Sequence, residues 1–277
     1  MRLVTVATHS GGYFKYLQQS CERHGAKLEV LGWKQRWRGF QWRFQLMNEY
    51  LKSLHDDEVV CFIDSFDVIL LRPLSELETL FRSVAKNIGA KIIVGCENNS
   101  SAFQRIGGNY IFGSCQKKYL NAGTYIGFAR DLKRITDQMM AASSNPGSDD
   151  QIMMTQVCNQ IENQGDFHID CDNMFFITHC NMFGNFLNSQ MKVVNEQLMV
   201  NGSRPFFAHG SANTNMRDLL AKFGYHVSPA EVKRLQAERA SALRKKVLYF
   251  SKFFIVPAIL LIAIVTVAIL LLQNRRL

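Results

Sequence analysis

No Cys-x-x-Cys pair occurs among the seven cysteines, and only five of the 277 residues are proline. The first absence excludes a zinc ribbon or a thioredoxin-type redox motif, and the second excludes a Pro-rich linker. With an odd count and no paired spacing, Cys21, Cys61, Cys96, Cys115, Cys158, Cys171 and Cys180 read as reduced thiols, mostly filling the core. There is no Walker-type Gly-rich phosphate loop and no second dense acid cluster, which argues against a nucleotidyltransferase or phosphatase. No basic and aromatic pattern of an RNA-binding module is present, so nucleic acid is set aside as a partner. Nor does the N-terminus read as a signal peptide. Residues 1–8 have the character of a strand, and His9-Ser10-Gly11-Gly12 is polar where an apolar region would need to continue.

One long hydrophobic run is present. From Phe253 to Leu272 twenty residues carry no formal charge, the length needed to cross a bilayer as a helix. The charge of +9 gathers around that run: residues 231–277 hold nine Lys or Arg against Glu231 and Glu238, leaving +2 for residues 1–230. The basic character therefore points to anionic lipid headgroups. Ser228, Pro229 and Glu231 stand at N-cap, first helical position and third position of a helix start. The expected organisation is a soluble domain over 1–228, a basic juxtamembrane helix over 229–252, a transmembrane helix over 253–272 and a short basic tail over 273–277. The arrangement is that of a tail anchor, and the heavier positive flank before the span places the soluble domain in the cytosol. The sequons Asn98-Asn99-Ser100 and Asn201-Gly202-Ser203 would then go unused. A luminal orientation would reverse both the thiol and the sequon inferences.

The soluble part is organised around Val59-Val60-Cys61-Phe62-Ile63-Asp64-Ser65-Phe66-Asp67. Five apolar residues in a row read as a strand buried on both faces of a parallel sheet. Residues at the carboxyl end of such a strand face the crevice where open α/β sheets bind ligands, and here two acids follow at once. Neighbouring carboxylates repel and lose hydration unless a cation neutralises them, so Asp64 and Asp67 either bind a hard divalent ion or cap a turn and face water.

Around this centre the chain opens as β-α-β, with strands at Leu3–Ala7 and Leu28–Leu31 and an apolar helical face over Tyr13–Cys21, which predicts a doubly wound sheet. Trp33 to Phe44 alternates cationic and aromatic residues, able either to sandwich a nucleobase and grip phosphate or to seat Trp37 and Trp42 in the core. Lys91–Cys96 is a strand that delivers Glu97. Residues 98–118 read as a long polar loop and a candidate lid. In the strand-like run Tyr119–Ala129, Gly123 and Gly127 imply close approach of backbone to a ligand or another strand. One of Asp149 and Asp150 caps the helix reaching Ile161, and the other is free to accept from a sugar hydroxyl. Pro205–Gly210 is a late strand carrying His209.

These blocks resemble, in the same order, the glycosyltransferase domain of the procollagen lysyl hydroxylase family over residues 2–225. They are Val4–Thr8, Trp37-Arg38-Gly39, Phe62–Ile69, Tyr119–Ala129, Asp149-Asp150-Gln151 and His209-Gly210. The resemblance implies a GT-A-like, Rossmann-like α/β fold: a mixed, mainly parallel sheet with helices on both faces, to which this chain adds its C-terminal transmembrane helix. It also implies a UDP-sugar donor and a Mn²⁺ ion, with Mg²⁺ as the alternative. The family's metal ligands carry over onto Asp64, Asp67 and His209. Its sugar-contacting acids carry over onto Asp149 and Asp150, which with Glu97 are the catalytic candidates, and Thr8, Trp37, Arg43, Ser65, Asn121 and Gly210 line the donor. The sequence also departs from the family: Gln41 lies where a donor-binding lysine is expected, Phe66 replaces a tyrosine, and Asn98–Ser101 replace a Cys-Trp pair. The expected activity is transfer of a sugar from a nucleotide-sugar to the hydroxyl of a glycan or protein acceptor. The alternative is a membrane-tethered binding protein on a decayed transferase scaffold.

Overall fold

The computed structural model describes residues 1–99, 102–142, 149–181, 184–212, 214–245, 247, 248 and 251. The predicted span 253–272 and tail 273–277 lie outside the described residues, as does the turn predicted at 143–147. Among the described residues no helix is long and apolar enough to cross a membrane. The chain divides into two compact units, Met1–Pro229 and Ala230–Leu277. In the second, the basic helix predicted after Ser228 is present through residue 245, with Arg234 paired to Glu238 one turn on at 2.8 Å.

In the first unit a nine-stranded mixed sheet runs in the order β2-β1-β3-β6-β5-β8-β11-β4, with β7 paired to β5. The first half comprises β1 (Arg2–Val6), α1 (Phe14–Arg23), β2 (Leu28–Leu31), α2 (Phe40–Lys52), β3 (Val59–Ile63), β4 (Val68–Leu70), α3 (Leu74–Ile88) and β5 (Ile92–Asn99). It continues with α4 (Ala102–Phe112), β6 (Leu120–Phe128), α5 (Ala129–Ala142), α6 (Asp150–Cys158), β7 (Phe167–Asp170) and β8 (Phe176–Cys180). A separate hairpin of β9 (Met191–Val194) and β10 (Gln197–Val200) precedes β11 (Phe207–His209) and α7 (Arg217–Lys222). The pairings β1–β2, β1–β3, β5–β7, β5–β8 and β8–β11 are parallel, while β6 and β4 run antiparallel to their neighbours.

Why β3 is the middle of the structure follows from its side chains. Every residue of Val59–Ile63 is buried, and successive residues serve opposite faces. Val60 and Phe62 join Val4, Val94, Tyr125 and the apolar sides of α2, α5 and α6; Val59, Cys61 and Ile63 join Leu3, Ile93, Ile126 and those of α1 and α3. Burying each of these aliphatic side chains contributes about 1.5–3 kcal/mol, which is why a continuous apolar run, and not an alternating one, marks this strand.

Two expectations are corrected. The polar stretch 98–118 is not a loop throughout, since residues 102–112 form α4 despite Gly107 and Gly108. That helix packs against α6, and Gly113 with φ +72° ends it in the left-handed conformation that glycine adopts without cost. The thiols are not all reduced either. Cys96 is bonded to Cys171 with the Cα atoms 4.8 Å apart, and Cys115 is bonded to Cys158, leaving Cys21, Cys61 and Cys180 buried and outside any disulfide. The parallel register Gly95↔Asp170 sets the next residues, Cys96 and Cys171, side by side, a neighbourhood that spacing along the chain does not reveal. Each bridge closes a long loop, separated by 75 and 43 residues, and is worth about 4 kcal/mol in the chain-entropy picture.

Alkylation of the denatured, unreduced protein should block three cysteines, and alkylation after reduction all seven. Peptide mapping by mass spectrometry reads the pairing directly; seven labelled thiols before reduction would contradict it.

Candidate metal and donor site

The acids of β3 and the histidine of β11 meet because two backbone registers bring them together. Beyond β3 the chain stays in the sheet for one more residue, with Asp64 N donating to Gly123 O of β6 at 2.7 Å. It then turns into β4, whose antiparallel register sets Val68 opposite His209, and Gly210 N donates to Asp67 O at 2.8 Å. The His209 Nε2 atom thus lies 3.4 Å from Asp67 Oδ1 and 3.8 Å from Asp64 Oδ2. One donor atom from each of the three residues lies within 4.8 Å of the others. Ligands of a single ion are separated by such distances, since each stands about 2.0–2.6 Å from the metal.

Gly123 is what makes the meeting sterically possible. A Cβ there would stand 2.5 Å from Asp64 Oδ2, 2.6 Å from His209 Cε1 and 3.0 Å from Asn121 Oδ1, so any side chain would occupy the space where the donors converge. His209 is buried, and among the described residues its Nδ1 has no hydrogen-bond partner. Burial by itself would lower the imidazole's pKa, but the carboxylates of Asp67 and Asp64 reverse that and the net direction is upward. Burial likewise pushes the Asp64 carboxyl up, opposed by Arg43 and reinforced by Asp67. In both cases the local field favours an added positive charge. Two carboxylates and an imidazole without a thiolate form a donor set that fits a hard divalent cation.

Arg43, expected among the donor-lining residues, is tied into the protein's own carboxylates. Its guanidinium is buried over the Phe62 ring at 5.0 Å, donates to Asp64 Oδ1 at 2.9 Å with one arm and reaches Asp150 Oδ2 with the other. It fixes the first turn of α6 to the carboxyl end of β3. Asp149 is the N-cap of α6 and accepts from Gln151 N at 2.9 Å, so the pair divides into a cap and a salt-bridge partner, neither being a free acid. Burial, and after it the charge of Asp150, pushes the Asp149 carboxyl up to about 7.

On the other side of Gly123, Asn121 Oδ1 accepts from Gly123 N at 2.9 Å, while Asn121 Nδ2 donates to Glu97 Oε2 at 3.1 Å and approaches Gln151 Oε1 at 3.4 Å. Ser211 Oγ donates to the other Glu97 oxygen at 3.4 Å. Glu97 and Asn121 are therefore brought into the same constellation as the acids, together with Gln151 and Ser211. Ser211 was missed by sequence reasoning, because nothing marks a serine after His209-Gly210 as polar support. Of the remaining expected donor-lining residues, Ser65 is buried between the two acids and Gly210 is tied to Asp67. Thr8 follows β1 and engages Lys34 N through its carbonyl at 3.0 Å. The two tryptophans separate: Trp42 is core, whereas Trp37 is 45% exposed and stacks edge-on against Trp42 and Phe40.

Comparison with known proteins shows the family. The profile of the PLOD GT domain family matches residues 1–233. Procollagen-lysine,2-oxoglutarate 5-dioxygenase 1 of Gallus gallus is 24% identical over 229 residues, 78% of this chain and 30% of that protein. The multifunctional procollagen lysine hydroxylase and glycosyltransferase LH3 of Rattus norvegicus is 29% identical over 168 residues, 56% of this chain and 21% of its own length. The chain thus spans less than a third of the curated relatives it matches. Among solved structures, a glycosyltransferase involved in the glycosylation of the major capsid of PBCV-1 overlaps 61% of this chain and 82% of its own, at 12% identity and a TM-score of 0.39, too loosely to establish anything further.

Three outcomes test the site. Arg43→Met leaves Asp64 and Asp150 without their shared cation and should destabilise the protein by about 3 kcal/mol in chemical denaturation, the cost of breaking a buried pair. Gly123→Ala should weaken divalent-metal binding by roughly 10–100-fold, as losses next to metal ligands do, measured by calorimetry on the folded variant. A carboxyl raised from about 3.9 unfolded contributes stability below that pH and loses it as pH rises through the folded value. The thermal midpoint of metal-free protein should therefore decline less steeply between about pH 4 and pH 7 in Asp149→Asn, which keeps the oxygen that caps α6.

Proposed function

The chain belongs to the PLOD GT domain family, and from that premise we propose that it is a metal-dependent glycosyltransferase moving a sugar from a UDP-sugar to an acceptor hydroxyl. The observation that carries the reading is the convergence of Asp64, Asp67 and His209 around Gly123 at the carboxyl ends of β3 and β11, the position where open α/β sheets bind ligands. These three residues hold the ion, Mn²⁺ by preference for its mixed oxygen and nitrogen ligands, with Mg²⁺ as the alternative. When bound there, such an ion supplies a Lewis acid that neutralises charge on a departing nucleoside diphosphate.

The chain's own residues do the rest. Asn121, oriented by its bonds to Gly123 N and Glu97, presents an amide beside the sugar. Glu97 accepts from Asn121 and Ser211 and is the carboxylate that orients or deprotonates the acceptor hydroxyl. Arg43 keeps Asp150, and with it the start of α6, against the metal ligand Asp64, which fixes the distance between the sugar-binding helix and the diphosphate end. Exposed Trp37 offers a flat face to the uracil base. The acceptor is a protein-linked glycan or a hydroxylysine-type side chain, and the chain attaches to a membrane through residues 253–272.

Replacement of the lysine by Gln41 motivates the alternative, a tethered binding protein without turnover. The preserved metal-donor set favours the enzyme instead, since a decayed site has no cause to keep a glycine clear for it. Titration of the purified protein with UDP in Mn²⁺ should show metal-dependent binding, and a panel of UDP-sugars should reveal hydrolysis of at least one. Asp64→Asn and Asp67→Asn should each bring that turnover to background with the fold retained by circular dichroism. If both variants remain active, the proposal fails.

A further inference from the structure

The two sequons take no part in the chemistry above, and the structure treats them differently. Asn98 lies in β5 next to Glu97, in register with His179 of β8. Its Nδ2 donates to Asn173 Oδ1 at 2.9 Å, Asn173 itself is buried, and the Asn98 carbonyl lies 3.2 Å from His179 Nδ1. An oligosaccharide on that amide would have to occupy the packed space between β5 and the segment before β8, beside the acceptor carboxylate. Asn201 and Gly202 are instead both exposed, at φ +49° and +89°. They form the tip of a two-residue hairpin turn closed by reciprocal 2.9 Å bonds between Val200 and Ser203, a geometry in which Asn-Gly is the favoured pair. Among the described residues the exposed Asn201 side chain makes no hydrogen bond, so its amide can be modified without loss to the fold.

The second, independent observation concerns the compartment. Disulfides such as Cys96–Cys171 and Cys115–Cys158 form and persist where the surroundings are oxidising, and are rare in the cytosol. Oxidising folding compartments of the secretory route are also where Asn-x-Ser acceptors are read. We propose that Asn201 carries an N-linked oligosaccharide and that the Met1–Pro229 unit faces the lumen of the secretory pathway, with Asn98 left unmodified. In the modification the Asn201 amide nitrogen bonds to the anomeric carbon of a lipid-diphosphate-linked oligosaccharide and gives up one proton. The carbon–oxygen bond to phosphate breaks, and the lipid diphosphate leaves. This proposal does not rest on the transferase reading and survives its failure.

The test uses the full chain isolated from its own cells and incubated in heavy-oxygen water with and without peptide N-glycosidase, the enzyme-free sample measuring spontaneous Asn-Gly deamidation, which takes up the same label. The peptide containing Asn201 should appear as heavy-oxygen Asp after the enzyme, and the peptide containing Asn98 should remain unlabelled. Ser203→Ala and Asn201→Gln should each abolish the drop in apparent mass on deglycosylation. Recovery of the Asn201 peptide wholly unmodified before treatment, or label on Asn98 alone, would overturn the proposal.

Discussion

Everything in the site depends on a crowd of charge that the sheet would not tolerate unaided. Asp64 and Asp67 come off the end of a strand buried on both faces and keep only 31% and 29% of their side-chain surface exposed, so water screens them in part and cations held in place meet the rest of their repulsion. The protein meets it from three sides. Arg43 brings a permanent charge through the core over Phe62, His209 arrives from the far strand β11, and the remaining demand suits a divalent ion. Gly123 keeps the meeting point clear, while its neighbours Ala122 and Thr124 in β6 are buried and each carry the Cβ for which position 123 has no room.

The same logic explains why Arg43 serves as a clamp between two carboxylates. A guanidinium shared by two carboxylates 86 positions apart in the chain, Asp64 and Asp150, couples the carboxyl end of β3 to the first turn of α6. The Cys115–Cys158 bridge secures the other end of that helix to the residues that follow α4. α6 is thus held at its N-terminus by electrostatics and at its C-terminus by a covalent bond. The Cys96–Cys171 bridge does the corresponding work beside Glu97. Both walls of the constellation are stapled, which limits the drift that positioning catalysis cannot tolerate.

The thiol reading failed for a physical reason that also bears on where the protein works. Cysteine pairing depends on Cα atoms coming within about 7 Å with suitable Cβ directions, a property of register and not of spacing. Cys96 and Cys171 become neighbours only because β5 and β7 run parallel with Gly95 opposite Asp170. Residues 98–118 were misread in a related way: polar and glycine-rich composition favours a loop locally, but packing against α6 overrides it for 102–112.

By itself the sequence determined the elements whose pattern is local: the doubly buried β3, the β-α-β opening, the cap at the start of α6 and the acids that follow a strand. Those follow from side-chain periodicity and from backbone groups seeking partners within a few residues. The family blocks also marked Asp64, Asp67 and His209. What only the tertiary structure decided was which groups satisfy one another: that Arg43 is shared between Asp64 and Asp150, that Asp149 is the cap, that Trp37 is exposed while Trp42 is core, and that four cysteines are joined. Each of these depends on strands and helices distant in sequence coming to within a few ångströms. Contact energies decay over that scale, while the chain records only the order in which residues occur.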